Sequence, residues 1–231
     1  MNTVRPVPIS ALVADQAIFT SLRRGGMSGY HLVSRSPGLT EGEAREIATT
    51  APSHDSLIVD ANNTVSVNFQ FLASQRYALS RTCQGHPEYS GRGGRQLYTH
   101  FLIFSPDVLR YVHFQPFHLY RDALTRGLLH YRPHPSQQLP RIQFSSLYPL
   151  PTATFWEERA RALGLGDLHR LAREIRAVRR PLVVPFGGNR SDLVECLLGM
   201  LDGPLVGALS FSTSLKPSNV RPYRLCVVGE S

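Results

Sequence analysis

The chain has 231 residues, a formal charge of +8 from 25 basic and 17 acidic side chains, and a hydrophobic fraction of 42%. That apolar content is ample for a core in one large domain, which excludes intrinsic disorder as the default. No apolar run of about 18 residues and no charged stretch followed by a long apolar one is present, so neither a membrane span nor a secretion signal is supported.

The three cysteines, Cys83, Cys196 and Cys226, form no paired framework. Their odd number fits a reducing compartment, so a cytoplasmic protein without disulfides or a membrane partner is expected. Lys216 is the sole lysine, and the other cations are arginines spread along the chain. That spread fits the codon bias of a GC-rich genome better than a dedicated nucleic-acid arm. A positive net charge still favours acidic partners at low salt.

In chain order, Val4 to Ser10 reads as an extended arm bounded by prolines. Ala14 to Arg24 and Tyr30 to Ser34, joined by the Gly25 to Gly29 turn, predict a hairpin. Thr40 and Glu43 have capping-box spacing ahead of a short helix over Ala44 to Thr49. Val65 to Phe71 alternates apolar and polar residues, the pattern of a strand with one wet face, and Arg76 to Arg81 is placed to pair with it. A glycine- and arginine-rich loop then leads into a third strand, Gln96 to Phe104.

Ser105-Pro106-Asp107 predicts a short helix to His113, and Phe117 to Leu129 a second one. His130 to Pro151, with five prolines, reads as a connector crossing the surface. Thr154 to Leu163 and Leu168 to Val178 are amphipathic helices; the second sets Arg170, Arg173, Arg176, Arg179 and Arg180 opposite Leu171, Ile175 and Val178. That helix carries no aromatic residue, so a solvated or partner-docking face is favoured over one that binds single-stranded nucleic acid. Pro181 to Phe186 reads as a buried strand and Ser191 to Leu201 as a helix with Ser191 as its cap. Gly207 to Leu215 and Tyr223 to Val228 are the closing strands. The expectation is an α+β fold, a mostly antiparallel sheet with helices packed on it and a helical second half. It forms a single domain over 1–231, whose only plausible lobe boundary is the connector 130–151.

Cys83 and His86 have half the spacing of a metal site, but no second half is evident, so no metal and no cofactor is expected. A nucleophilic site would need a Ser or Cys with a base, and Cys83 with His100 is the one conceivable pair. Gly187 to Asp192 lacks the lysine and spacing of a phosphate loop. The stretch from Arg81 through Arg92 and Arg95 to Tyr98 and His100, together with Tyr30 and His31 of the hairpin, puts cations and rings where either a ligand site or a docking surface can be built. The plain alternative is that Tyr98 and His100 point inward and satisfy each other.

The opening hairpin from Gln16 to Ser21 and from Gly29 to Leu39 resembles a known bacterial family. So do Ser80-Arg81 with Gly91-Arg92-Gly93-Gly94, Tyr98-Thr99-His100-Phe101-Leu102, and the closing Leu209 to Leu215. In this order the blocks resemble the N-terminal domain, type 2, of the GTPase-associated protein family. The resemblance implies a component of bacterial GTPase-centred conflict or signalling systems: an adaptor without assigned enzymatic activity, whose partners are a GTPase or other proteins of the system. The rival expectation is a hydrolase or transferase acting on a nucleotide or peptide with His100 and Cys83 at its site. Nucleic-acid binding through the basic charge is a third reading, not favoured.

Overall fold

In the computed structural model, residues 12–23, 26, 28–88, 94–144, 148, 151–177, 180–221 and 223–230 are described. The expected arm at Val4 to Ser10, Gly25 and Met27 of the expected turn, Arg92, Val178 and Arg179 lie outside them. The fold is α+β, built on a nine-stranded sheet. Its first five strands are β1 (Val13–Ser21), β2 (Tyr30–Arg35), β3 (Val65–Phe71), β4 (Tyr77–Pro87) and β5 (Arg95–Phe104). The later strands are short: β6 (Ile142–Gln143), β7 (Leu182–Pro185), β8 (Phe211–Ser212) and β9 (Leu225–Val228). The order is β2-β1-β5-β4-β3-β8-β9-β7, with β6 pairing with β1. Pairing is antiparallel from β2 to β8, and only β9 runs parallel to its neighbours β8 and β7.

Alternation along the strands divides the sheet into two faces. One takes α1 (Glu41–Thr50), whose Ala44 and Ile47 pack with Ala17, Phe19, Ala78, Phe101 and Ile103. The capping box is formed: Thr40 Oγ1 accepts from the Glu43 backbone N–H, and Glu43 Oε2 accepts from that of Thr40. The other face carries the main core, in which Leu79, Leu102, Phe104 and Phe211 meet the remaining helices. These are α2 (Pro106–Tyr111), α3 (Pro116–Thr125), α4 (Ala153–Ala162), α5 (Leu168–Ala177), α6 (Arg190–Gly199) and α7 (Gly203–Ala208).

Several expectations are corrected. β3 has no wet face: Ser66, Asn68 and Gln70 are buried beside Thr82 and Thr99. There they form a hydrogen-bonded layer in which Ser66 Oγ donates to Asn68 Oδ1 at 2.7 Å and the hydroxyls of Thr82 and Thr99 meet at 3.0 Å. Residues that alternate like a solvated strand are thus satisfied internally. β4 extends through Gly85 and His86, so the glycine-rich loop is shorter than expected. β7 is an edge strand with Val183 exposed, not a buried one. The cap of α6 is Asn189, whose side chain accepts from the N–H groups of Ser191 and Asp192. Gly207 and Ala208 belong to α7, because Asp202 caps a helix at Leu205 N and leaves β8 only two residues.

The proline-rich connector is tied to the sheet. Leu129, Leu139, Ile142 and Phe144 are buried, and β6 pairs with the start of β1.

Candidate functional site

Of the seven residues expected to form one surface, the six that are described fall into two groups. Tyr98 and His100 are fully buried on the helical face of β5, opposite Cys83 and Arg81 of β4, and so take no part in an exposed patch. Period-two spacing places them on one face; the connector then covers that face. Tyr131 packs edge-on against Tyr98 at 5.2 Å, and Leu139 joins Tyr98, Cys83, Ile18 and Val33 in a small cluster. Arg81 is half-buried and donates from Nη1 to Leu129 O at 3.1 Å, at the start of the same connector.

His100 Nε2 lies 2.9 Å from Gln16 Oε1, which accepts, so the tautomer is protonated at Nε2. Burial, with the charge of Arg132, drives its pKa down to about 3. Cys83 is 6% exposed, and burial raises its thiol pKa against the opposing effect of Arg81. A nucleophile needs an accessible thiolate and a base that titrates near neutrality. This pair offers neither, which opposes the catalytic role considered for it. Cys83 with His86 gains no further ligands: among the described residues no cluster of three or more His, Cys, Asp or Glu can hold a metal ion.

Tyr30, His31 and Arg95 belong to the other group, around the hairpin end of the sheet. Tyr30 stacks on Phe19 at 5.9 Å, and its hydroxyl accepts from Leu97 N at 2.9 Å, which fastens β2 across β1 to the beginning of β5. Burial raises its pKa, so the phenol stays neutral at physiological pH. Arg95, two residues before Leu97, is exposed, with Nε donating to Gly85 O. His31 is half-buried and sits 2.9 Å from Gly29 O. Arg92 lies outside the described residues.

Tyr30, His31, Leu32 and Phe19 form one wall of an open groove of about 560 Å³, and Ala44, Arg45 and Ala48 of α1 form the other. β2 is the terminal strand of the sheet. At Arg35 its outer edge already takes an extended segment: Arg35 N donates to Gln137 O at 3.0 Å and Leu139 N to Arg35 O at 3.0 Å. The stretch from Tyr30 to Ser34 is therefore continuous with an edge that accepts added backbone.

Sequence reasoning passed over four contributors here. Tyr131 holds the end of β4 and β5 together, its hydroxyl accepting from His86 N and Gln96 Nε2. Ala44 and Ala48 shape the groove by being small. His54 lies between Asp55 and Glu88, 3.5 and 3.8 Å from their carboxylates, and Gly94 packs against its ring. Of these, only Tyr131 carried a readable signal, as an aromatic set among the apolar residues of the connector.

Helices thus cover both faces of the sheet, and an open groove lies beside its terminal strand β2. Residues 13–145 match the family model described as GTPase-associated protein 1, N-terminal domain type 2. That match spans more than half of the chain, and the chain belongs to this family. No curated protein and no solved structure matches it. Among the described residues no helix is long and apolar enough to cross a membrane.

Proposed function

We propose that the chain is a non-enzymatic adaptor of a bacterial GTPase-centred conflict or signalling system, acting in the cytoplasm as a single domain. Its docking surface is the groove between β2 and α1 with the outer edge of β2, using Tyr30, His31 and Arg95. Its occupant is an extended acidic segment of the GTPase or of a companion protein. The observation that carries this reading is the edge itself: backbone is already added at Arg35, and the next residues of β2 continue alongside a groove ready for side chains. Arg35 and Glu41 on the walls pair with each other, and the remaining Arg45 and His31, with a net charge of +8, favour acidic partners. Membership of a GTPase-associated family supports the class of partner.

The rival reading, a hydrolase or transferase with His100 and Cys83 at its site, is disfavoured by their burial. Nucleic acid is not favoured, because no aromatic residue interleaves the arginines of α5.

Affinity capture from native lysate, quantified by mass spectrometry, tests the proposal. A GTPase enriched by the wild type and lost with Ala48→Arg, which fills the groove from a half-exposed position, is the expected result. Equal recovery by both proteins contradicts it.

A further inference from the structure

The opposite end of the sheet carries a cationic cavity unrelated to the groove and outside the family-matched residues. It measures about 470 Å³ and is lined by Pro181, Ala208, Ser210, Ser218, Asn219, Arg221, Tyr223 and Arg224. Its lining residues carry two guanidinium groups, three hydroxyls and an amide, and none of them is acidic.

Arg221 is the telling group. It is half-buried, and its guanidinium donates to two neutral oxygens, from Nη2 to Lys216 O at 2.8 Å and from Nη1 to Ser56 Oγ at 3.4 Å. Its Nε is buried without a hydrogen-bond partner. Burial lowers the Arg221 pKa, with only the side chains of Tyr223 and Cys226 acting the other way. A cation withdrawn from water without a counter-charge is costly, and an anion entering the cavity relieves that cost. Arg224 is held in place from the other side, its Nη2 donating to Ile175 O at 2.6 Å at the end of α5. The Ser210 and Ser218 hydroxyl oxygens accept from Arg224 N at 2.9 Å and Val220 N at 3.4 Å, which fixes both side chains at the cavity.

We propose that this cavity binds the phosphoryl group of a small phosphate ester, gripped by Arg221 and Arg224. A phosphoryl group presents three acceptor oxygens and nearly two negative charges, which matches a lining of donors better than the two oxygens of a carboxylate. Tyr223, Pro181 and Ala208 supply an apolar wall for the esterified organic part.

The test is titration of the full chain with inorganic phosphate, phenyl phosphate and benzoate at low salt, followed by amide chemical shifts. Shifts confined to the region of Ser210 and 218–224, with phenyl phosphate binding more tightly than phosphate or benzoate, are expected. Arg221→Gln weakens phenyl phosphate by about tenfold or more, Arg221→Lys by less, and Arg173→Gln on the exposed face of α5 leaves it unchanged. Because Arg221 also bonds Ser56 and Lys216, near-ultraviolet circular dichroism checks the fold of each variant, and the wild-type shift map decides if Arg221→Gln does not fold. Shifts spread over the surface, equal affinity for benzoate, equal loss with Arg173→Gln, or no saturation at millimolar phenyl phosphate each overturn the proposal.

Discussion

His100 Nε2 and Gln16 Oε1 meet at 2.9 Å between β5 and β1, where both side chains are buried. The imidazole is neutral there, so folding excludes a proton that the unfolded chain binds readily. A histidine titrates near 6.5 when unfolded and, at this position, at about 3 when folded. The unfolded state therefore carries more protons between those values. The stability His100 contributes is complete above about pH 6.5 and is lost as pH falls toward 3. His118, lowered to about 4 by burial and by the charges of Arg121 and His113, acts in the same direction. Urea unfolding between pH 6.5 and 5, above the carboxylate range, is expected to show stability falling by up to about 1.4 kcal/mol per pH unit for each histidine. His100→Gln should flatten that slope; an unchanged slope contradicts the assignment.

Arg76 bridges two buried carboxylates, donating to Asp15 Oδ2 at 2.6 Å and to Glu43 Oε1 at 3.2 Å. Burial opposes ionisation of Glu43, but hydrogen bonds from Thr40 and Ser74 and the charge of Arg76 outweigh it and hold its pKa down. Arg76→Leu leaves both carboxylates without this partner and is expected to cost about 3–5 kcal/mol. Chemical denaturation at neutral pH measures it. A loss below about 1 kcal/mol would show that Arg141, 3.1 Å from Asp15 Oδ1, suffices alone.

Asn68 is the hub of the buried polar layer, accepting from Ser66 Oγ and donating to Ser80 Oγ and Thr82 Oγ1. Asn68→Leu removes one partner from each of these hydroxyls and should destabilise the fold by about 1–3 kcal/mol. Thermal unfolding near neutral pH reports the change. A variant as stable as the wild type would mean that the hydroxyls satisfy one another without the amide.

Gly199 ends α6 against the indole of Trp156, where an added Cβ would collide with the ring. Gly199→Ala should therefore shift Trp156, which is buried between α4 and α6, and cost about 1–3 kcal/mol. Tryptophan fluorescence reads this directly, because Trp156 is the only tryptophan in the chain. An unshifted emission maximum contradicts the packing described.

The elements legible in the sequence were those whose signal is local. The hairpin of β1 and β2 and the Thr40–Glu43 capping box depend on neighbours a few residues apart, and each formed where expected. The polar face of β3 misled because alternation reports two faces without reporting what covers them; here the Ser212 hydroxyl of β8 and the Ser214 backbone N–H beyond it meet Ser66 Oγ. The same gap separated Tyr98 and His100 from the surface expected for them. Their cover is the connector 130–151, and its prolines made it read as a surface crossing although Leu139, Ile142 and Phe144 anchor it. The groove beside β2 was half legible: Tyr30 and His31 were identifiable as large contact residues, but the small Ala44 and Ala48 matter only through the space they leave.

The most direct test of the account is the affinity of the purified chain for the GTPase it captures, measured by calorimetry with wild type, Ala48→Arg and Tyr30→Ala. Occupancy of the groove predicts that Ala48→Arg weakens binding by about tenfold or more and that Tyr30→Ala, which also loses the bond to Leu97 N, weakens it comparably. Undiminished affinity in Ala48→Arg, with its fold intact, would contradict the claim that the edge of β2 and its groove are where this domain meets its partner.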